Sequence, residues 1–390
     1  MTDHTPRLAI VLSHPVQYYS PWFRWLAGRE GLHLRVFYLW NSGVTPTRDP
    51  QFKHTFAWDV DLLSGYDHEF VPNVARAPGS HHFGGLHNPS LRQRLRTWAP
   101  DAILLFGYAY RTHLGLFFRP PAPLVFRGDS HLLGHPAPSW LKRTALRWLY
   151  SRCAAVTYVG QANLGYFRAF GVPASKLHFA PHCVDGARFA RTPAIDAEAH
   201  RLRDELRVTG KKIVLFAGKF LPEKQPLRLL EAFIEIAPAD SALVFVGDGP
   251  QRLQLETLAA TRPDLAIRFL PFANQSEMPV RYALADIFAL PSIGLYETWG
   301  LAVNEAMHAG VPCLVSDRVG CQQDLVTEGE TGWVFPAADP NGLRQALSRA
   351  LAANVPDHAR LRAGVALRIS HYNYQQAGAG LLRALQTLAK

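Results

Sequence analysis

The sequence predicts an α/β protein with two doubly wound domains that face a central cleft. Short apolar runs of strand length alternate with amphipathic segments of helix length along the whole chain, a pattern typical of parallel sheets covered by helices on both faces. This alternation restarts near the middle of the chain. A length of 390 residues, 48% of them hydrophobic, is sufficient to bury two cores.

Eleven apolar runs are predicted strands. In the first half they are residues 8–13, 34–40, 101–108, 123–129 and 154–160. In the second half they are residues 211–218, 241–247, 266–272, 286–292, 312–316 and 332–336. Residues 89–99 and 139–153 have helical spacing and lie between strands of the first set. Ligands of such folds bind beyond the carboxyl ends of the strands.

The two sets are separated by residues 182–201, which lack a strong strand pattern and contain Pro193. We therefore predict a first domain over residues 1–190 and a second over residues 191–370. Residues 371–390 are predicted as a helix that packs back towards the first domain. Residues 51–85 are predicted as long loops with a short hairpin, since His, Gly and Pro are frequent there.

Composition narrows the classes of partner. The formal net charge of +10 favours phosphorylated or anionic partners, but the absence of a long Lys and Arg run, or of a nucleic-acid motif, argues against nucleic acid. Four scattered cysteines without a CxxC pair fit a reducing cytosol. The apolar run 8–12 is too short for a signal peptide core, and no run approaches the ~20 residues of a membrane span. These features predict a cytoplasmic protein that is soluble or loosely associated with a membrane.

The segment FAGKFLPEKQPLRLLEAF (216–233) predicts an anion site. A strand ends at Gly218, and Lys219 and Lys224 follow it beside the start of a helix near Pro226. Solvated loop lysines are the alternative. In VFVGDGP (244–250), Gly247 either lets the backbone approach a ligand or forms a simple turn.

The segment LYETWGLAVNEAMHAGVPCLVS (295–316) combines two carboxylates with a helix N-terminus. The helix is predicted to start near Gly300 and to stop at Gly310. The amides of Thr298, Trp299, Gly300 and Leu301 would then be free to hold a phosphate. Glu305 lies in the second turn among apolar residues, where a carboxylate needs donors such as sugar hydroxyls. In the alternative interpretation, Glu305 faces solvent and Glu297 only complements the helix dipole.

The first half carries two polar clusters after strands. Arg127, Asp129 and His131 follow one strand, and His14 and Gln17 follow another. Any single histidine among 17 is more often structural than catalytic. The basic, aromatic-rich segment 140–152 either covers the sheet or lies on an anionic membrane.

Four segments in order resemble the retaining glycosyltransferases of family 4, over nearly the whole chain. They are AAVTYVGQANLGYFRAFGVPASKLHFAPHCVD, FAGKFLPEKQPLRLLEAF, FVGDGP and PSIGLYETWGLAVNEAMHAGVPCLVSDRVG. The last is similar to the family's E-x7-E signature. The resemblance implies the GT-B fold, with two Rossmann-like domains.

The resemblance also implies roles for the predicted site residues. Glu305 would bind the ribose hydroxyls, and Glu297 would face the donor sugar. The diphosphate would be held by Lys219, Lys224 and the amides of residues 298–301. Asp129 or His131 would occupy the first-domain position near the reacting carbon, where many members have a histidine. No metal or other cofactor is expected.

The predicted function is retaining transfer of a sugar from a nucleotide-diphosphate sugar to a glycan, lipid-linked or small-molecule acceptor. Cell-surface polysaccharide or glycoconjugate biosynthesis is the expected setting. Two alternatives stay open: a nucleotide-sugar epimerase on the same fold, and a non-catalytic nucleotide-sugar-binding protein. A glycosidase is disfavoured because the lysine-rich phosphate segment has no use in its chemistry.

Overall fold

Two parallel sheets, one in each half of the chain, form the centre of the protein. The computed structural model describes residues 5–44, 47–48, 55–294 and 297–388, with only the backbone at residues 47–48 and 55–56. The strands of the first half are β1 Arg7–Leu12, β2 His33–Tyr38, β3 Thr47–Arg48, β4 Thr55–Phe56, β5 Asp67–Phe70, β6 Ala102–Phe106, β7 Leu124–Arg127, β8 Ala155–Tyr158 and β9 Leu177–Phe179. Those of the second half are β10 Lys212–Ala217, β11 Ser241–Val246, β12 Ala266–Leu270, β13 Ile287–Leu290, β14 Cys313–Ser316 and β15 Gly332–Phe335.

The two sheets have the same order of strands, except that the first sheet has one more strand at its end. The first runs β5-β2-β1-β6-β7-β8-β9 and the second runs β12-β11-β10-β13-β14-β15, while β3 and β4 form a separate antiparallel hairpin. The order reverses beside β1 in the first sheet and beside β10 in the second. Such reversals leave a crevice beyond the carboxyl ends of the strands. The loops that follow β1 and β10 are therefore placed to form a site.

Helices cover both faces of each sheet. They are α1 Ser20–Ala27, α2 Leu91–Trp98, α3 Arg111–Phe118, α4 Trp140–Ser151, α5 Gln161–Ala169, α6 Gly186–Phe189, α7 Pro193–Glu205, α8 Pro226–Ile236, α9 Arg252–Ala260, α10 Met278–Ala283, α11 Leu301–His308, α12 Gln322–Leu325, α13 Gly342–Ala352, α14 Val355–Ile369 and α15 Tyr374–Gln386. Alternate residues of β1 enter different cores: Ala9 and Val11 face one layer, and Leu8 and Ile10 face the other. None of these described helices is both long and apolar enough to cross a membrane.

The last helix joins the core of the first sheet. Ala377, Leu381 and Ala384 of α15 are buried in the same cluster as Trp22 and Leu26 of α1. The chain therefore returns to its first half after completing the second sheet. The domain limits at residues 190 and 370 stay a prediction.

The predicted fold class is confirmed, and all eleven predicted strands are present within a few residues of their expected ends. Two strands of the first sheet were missed. β5 (DHEF) and β9 (LHF) are the two edge strands and are only partly buried, so they lack the apolar run that marks an inner strand. Residues 51–54 of the predicted loop region lie outside the described residues, and β4 and β5 follow them. Pro193 begins α7 at a position that needs no amide donor.

Candidate functional site

A cavity of about 380 Å³ lies between the two halves of the chain, beyond the carboxyl ends of β1 and β10. Its lining from the first half is Gln17, Tyr18, Trp58 and Asp129. Its lining from the second half is Ala217, Gly218, Lys219, Lys224, Val246, Gly247, Phe272, Ala273, Gln275, Met278, Tyr282, Glu297, Thr298, Trp299, Gly300, Leu301, Ala302 and Glu305. The cavity has the volume of a small-molecule site.

Lys224 and Glu297 form an ion pair in the wall of this cavity. The Lys224 Nζ atom lies 2.6 Å from Glu297 Oε2, and the Ser292 hydroxyl donates to the same oxygen at 2.9 Å. An ammonium group has three donors, so Lys224 can hold Glu297 and still donate to an anion. Lys219 follows β10 and lines the same cavity.

The N-terminus of α11 lies in the wall of the cavity. Gly300 precedes the helix with φ of +98°, a left-handed conformation that favours glycine. Within the described residues, no hydrogen-bond acceptor pairs with the amides of Trp299, Gly300 or Leu301. The first amides of a helix have no intrahelical acceptor, and at the positive end of the helix dipole such amides can hold an anion.

Glu305 is a buried carboxylate in the wall of the cavity. It lies in α11 and is 3% exposed. The Tyr282 hydroxyl donates to Oε2 at 2.6 Å, whereas Oε1 has no hydrogen-bond partner among the described residues. Burial raises the pKa of Glu305 to about 7, although the hydroxyls of Tyr282 and Tyr18 partly offset it. A ligand that donates hydroxyls into the cavity would satisfy the free oxygen.

Asp129 presents a carboxylate from the first half of the chain. The Thr298 hydroxyl donates to Asp129 Oδ2 at 2.8 Å, and His182 Nε2 lies 3.4 Å from the same oxygen. Burial acts to raise the pKa of Asp129. The hydrogen bond and charge of His182, together with the hydrogen bond from Thr298, outweigh burial, so the pKa is lowered overall. Asp129 is therefore an anion that contacts both halves of the chain.

His182 was not singled out from the sequence. It follows β9, is 2% exposed, and its ring lies 5.6 Å from the Trp299 ring. Burial lowers its pKa, and Asp129 opposes this shift. The signal that could have found it is the one used for Asp129, a polar residue just after an apolar strand. β9 is only three residues long, so residue 182 was assigned to the linker instead.

Three predicted first-half residues do not line the cavity. His131 is buried, and its Nδ1 accepts from the Leu133 amide at 3.1 Å while Nε2 donates to the Glu297 carbonyl at 3.1 Å. His14 Nδ1 lies 2.9 Å from the Ser13 hydroxyl, and burial lowers the pKa of this histidine to about 4. The rings of His131 and His14 thus contact other protein groups and do not line the cavity. Gln17, the other predicted residue after β1, does line it.

Arg127 is also placed away from the cavity. It is the last residue of β7 and is 2% exposed, so it lies within the strand rather than after it. Its guanidinium donates to the carbonyls of Ala180 and Pro181 at 2.9 and 3.3 Å. Arg127 thus holds the backbone that immediately precedes His182.

The chain is similar to proteins named as sugar transferases. It is 31% identical over 254 residues to a GDP-mannose-dependent alpha-(1-6)-phosphatidylinositol monomannoside mannosyltransferase of Mycolicibacterium smegmatis, covering 62% of this chain and 65% of that protein. It is 32% identical over 232 residues to sulfoquinovosyl transferase SQD2 of Arabidopsis thaliana, covering 56% of this chain and 42% of that protein. These two alignments span less than two thirds of the relatives' own lengths.

A longer match decides the family. The chain is 30% identical over 325 residues to the Mycobacterium tuberculosis protein of the same mannosyltransferase name, covering 77% of this chain and 79% of the relative. The sequence model of glycosyl transferases group 1 matches residues 199–365. The chain belongs to the glycosyl transferases group 1. The matched residues of this family member include Lys219, Lys224, Glu297 and Glu305.

Solved structures share the fold of this family member over nearly its whole length. HepE of Anabaena, crystallised with UDP, superposes with a TM-score of 0.73 at 18% identity, covering 98% of this chain and all of that one. Sucrose-phosphate synthase of Thermosynechococcus elongatus gives a TM-score of 0.70 at 19% identity, covering 98% and 99%. The fold is therefore GT-B, with two Rossmann-like domains.

Proposed function

We propose that this protein transfers a sugar from a nucleotide-diphosphate sugar to an acceptor, with retention at the anomeric carbon, as the resemblance to family 4 implies. The observation that carries this proposal is a buried carboxylate, Glu305, whose Oε1 has no hydrogen-bond partner among the described residues and which lies in a cavity with two lysines and the N-terminus of α11. A nucleotide sugar presents hydroxyls and a diphosphate that match these two kinds of group.

The donor binds mainly to the second half of the chain in this proposal. Glu305 accepts from the ribose hydroxyls, and the diphosphate lies against Lys219, Lys224 and the backbone amides at the start of α11. Glu297 is fixed by Lys224 and Ser292 and orients the donor sugar. Gly218 and Gly247 line the same cavity, and a Cβ atom at Gly247 would lie 2.0 Å from the Gly218 carbonyl oxygen, so these two strand ends approach each other closely.

The acceptor approaches from the first half. Asp129, held by His182 and Thr298, faces the cavity where the sugar would lie. We assign the first-domain position near the reacting carbon to Asp129 rather than to His131. Both ring nitrogens of His131 are already hydrogen-bonded to the protein backbone. Gln17 lines the same side and is assigned to the acceptor or sugar.

The chemical step needs no covalent enzyme intermediate. The bond between the anomeric carbon and the diphosphate oxygen breaks, and the acceptor oxygen bonds to that carbon from the same face. The acceptor proton passes to the departing phosphate oxygen. The lysines and helix amides stabilise the charge that develops on the diphosphate. Independence from metals is part of the proposal, and full activity after dialysis against EDTA is the expected result.

Calorimetric titration of nucleoside diphosphates tests donor binding. Relatives are named for GDP-mannose, and HepE was crystallised with UDP, so GDP, UDP and ADP form the first panel. Glu305→Gln and Lys224→Ala are each expected to weaken binding about 10-fold or more. Lys211→Ala, on the opposite end of β10, is the matched control. Unchanged binding in both test variants would refute the donor site.

Product analysis tests the reaction. Incubation of a bound nucleotide sugar with lipid-linked and small-molecule acceptors is expected to give an α-linked product from an α-linked donor, as read by NMR of the anomeric proton. Inversion would refute the retaining assignment. An epimerised sugar released without an acceptor would identify the epimerase alternative, and tight binding without turnover would identify a binding protein.

A basic, aromatic surface on the first half favours a lipid-linked acceptor. Leu146, Leu149 and Tyr150 of α4 face the core, as the covering-helix interpretation predicted. However, Trp140 of α4 is 73% exposed and Phe118 of α3 is 62% exposed. The exposed members of this surface are Phe118, Trp140, Leu141, Lys142, Arg143, Arg147 and Trp148.

We propose that this surface holds the protein on the cytoplasmic face of an anionic membrane, since aromatic and basic side chains together bind such interfaces. Sedimentation with phosphatidylglycerol vesicles is expected to pull down the protein, and phosphatidylcholine vesicles are expected to do so much less. Combined Trp140→Ala and Trp148→Ala substitutions should reduce sedimentation without changing nucleotide affinity. Equal sedimentation of the double variant and the unaltered protein would refute the role of this surface in membrane binding.

A further inference from the structure

Residues 57–59 of the first half cross the cleft and contact the second half. Asn274 Nδ2 donates to the Ala57 carbonyl at 2.9 Å. The Ser276 amide lies 3.2 Å from both carboxylate oxygens of Asp59, and the Ser276 hydroxyl also donates to Asp59. We call residues 57–59 the strap. Trp58, between the two bonded residues, lines the cavity.

The strap is also held on its own side of the cleft. The Trp58 amide donates to the Gly43 carbonyl at 3.3 Å. A Cβ atom at Gly43 would lie 3.3 Å from Trp58 Cδ1 and 3.1 Å from the Pro15 carbonyl oxygen, and the φ of Gly43 is +92°. The indole is thus positioned by backbone on one side and by two docking contacts on the other.

The contacts of the strap place Trp58 beside one end of the cavity. Its partners, Asn274 and Ser276, belong to the loop between β12 and α10, and that loop and helix supply the lining residues Phe272, Ala273, Gln275 and Met278. This part of the lining is mostly apolar. The charged groups Lys224 and Glu297 follow other strands, β10 and β13. A nucleobase, which has flat apolar faces, fits the apolar part better than a diphosphate or a sugar does.

We infer that Trp58 is a donor-binding residue: its indole packs on the nucleobase, and the strap closes the first half over the base end of the donor. This inference rests on the proposed function, because it requires a nucleotide donor in the cavity. It goes beyond that function by assigning the contact with the nucleobase to a residue of the first half of the chain. Base stacking on an aromatic side chain contributes enough to be measured by alanine substitution.

The test compares ligands with and without a base. Trp58→Ala is expected to weaken binding of UDP or GDP about 5- to 100-fold in calorimetric titration. Binding of inorganic pyrophosphate, which has no base, is expected to stay the same. Trp58→Phe should restore most of the affinity because it keeps an aromatic face. Phe83→Ala, an exposed aromatic residue of the first half, is the matched control.

Asp59→Ala gives an independent variant that leaves the indole intact. Loss of its contact with Ser276 should weaken nucleoside diphosphate binding by up to about fivefold, and pyrophosphate binding should not change. Equal losses of affinity for nucleotide and pyrophosphate would overturn the inference, because they would mean that the strap only closes the cleft. Unchanged nucleotide affinity in both Trp58→Ala and Asp59→Ala would overturn it as well. Absence of nucleotide binding by the unaltered protein would instead refute the proposed function.

Discussion

Replacing Glu305 with Gln should change how stability depends on pH. The carboxylate is 3% exposed, and burial raises its pKa from 4.5 to about 7. Between these pH values the folded protein keeps a proton that the unfolded chain has released. The free energy of unfolding contributed by this group therefore falls as pH rises from 4.5 to 7. Gln cannot ionise but can still accept from Tyr282, so the variant lacks this dependence.

The size of the effect follows from the shift. A change in pKa from 4.5 to about 7 corresponds to about 3 kcal/mol once the group is fully ionised. The variant should therefore gain about 3 kcal/mol relative to the unaltered protein as pH rises from 4.5 to 7.5. Asp324, whose pKa burial raises to about 6, titrates in an overlapping range. It is present in both proteins, so its contribution cancels in the difference.

Urea unfolding of the ligand-free proteins at intervals between pH 4.5 and 8 measures this difference. Circular dichroism and the fluorescence of the nine tryptophans, which include Trp299 in the site, should report the same trend. Parallel stability curves for Glu305→Gln and the unaltered protein would show that Glu305 ionises at its ordinary pKa. The account of an unsatisfied carboxylate in the site would then be wrong.

Three further substitutions test other parts of the site. Lys224→Met should weaken UDP or GDP binding about 10- to 100-fold in calorimetry, since a charge-assisted contact with the diphosphate is lost. His182→Gln should lower kcat at least about 10-fold with little change in nucleotide affinity, because Asp129 loses the partner that lowers its pKa. Gly247→Ala should lower the thermal midpoint, with about 2–4 kcal/mol of stability lost, because the new Cβ would lie 2.0 Å from the Gly218 carbonyl oxygen. Normal nucleotide affinity of Lys224→Met would contradict the first prediction, and normal kcat of His182→Gln would contradict the second. An unchanged thermal midpoint of Gly247→Ala would contradict the third.

The inner strands were predictable from the sequence because burial on both faces requires a continuous apolar run. β10 and β11 have five or six buried residues each and were identified closely. The edge strands β5 and β9 contain no fully buried residue, so composition did not distinguish them from loops. The edge strands β12 and β15 of the second sheet keep buried apolar residues and were predicted.

The second-half lining of the cavity was predicted better than the first-half lining, again because it lies in segments with a clear local pattern. Lys219, Lys224, Glu297 and the start of α11 belong to short contiguous segments, each a strand, a loop and a helix N-terminus, and local spacing indicates their chemistry. All of them line the cavity. The first-half lining was predicted only through Gln17 and Asp129, while Tyr18 and Trp58 were missed.

The sequence by itself determined the α/β class, the inner strands and the second-half segments that line the cavity, because each depends on the periodicity of apolar residues or on neighbours a few positions apart. Only the tertiary structure decided which groups meet across the cleft. Asp129 reaches Thr298 169 positions away, and Ser276 reaches Asp59 217 positions away. Such pairs form because two folded sheets are docked at their strand ends, and that geometry has no local pattern in the chain.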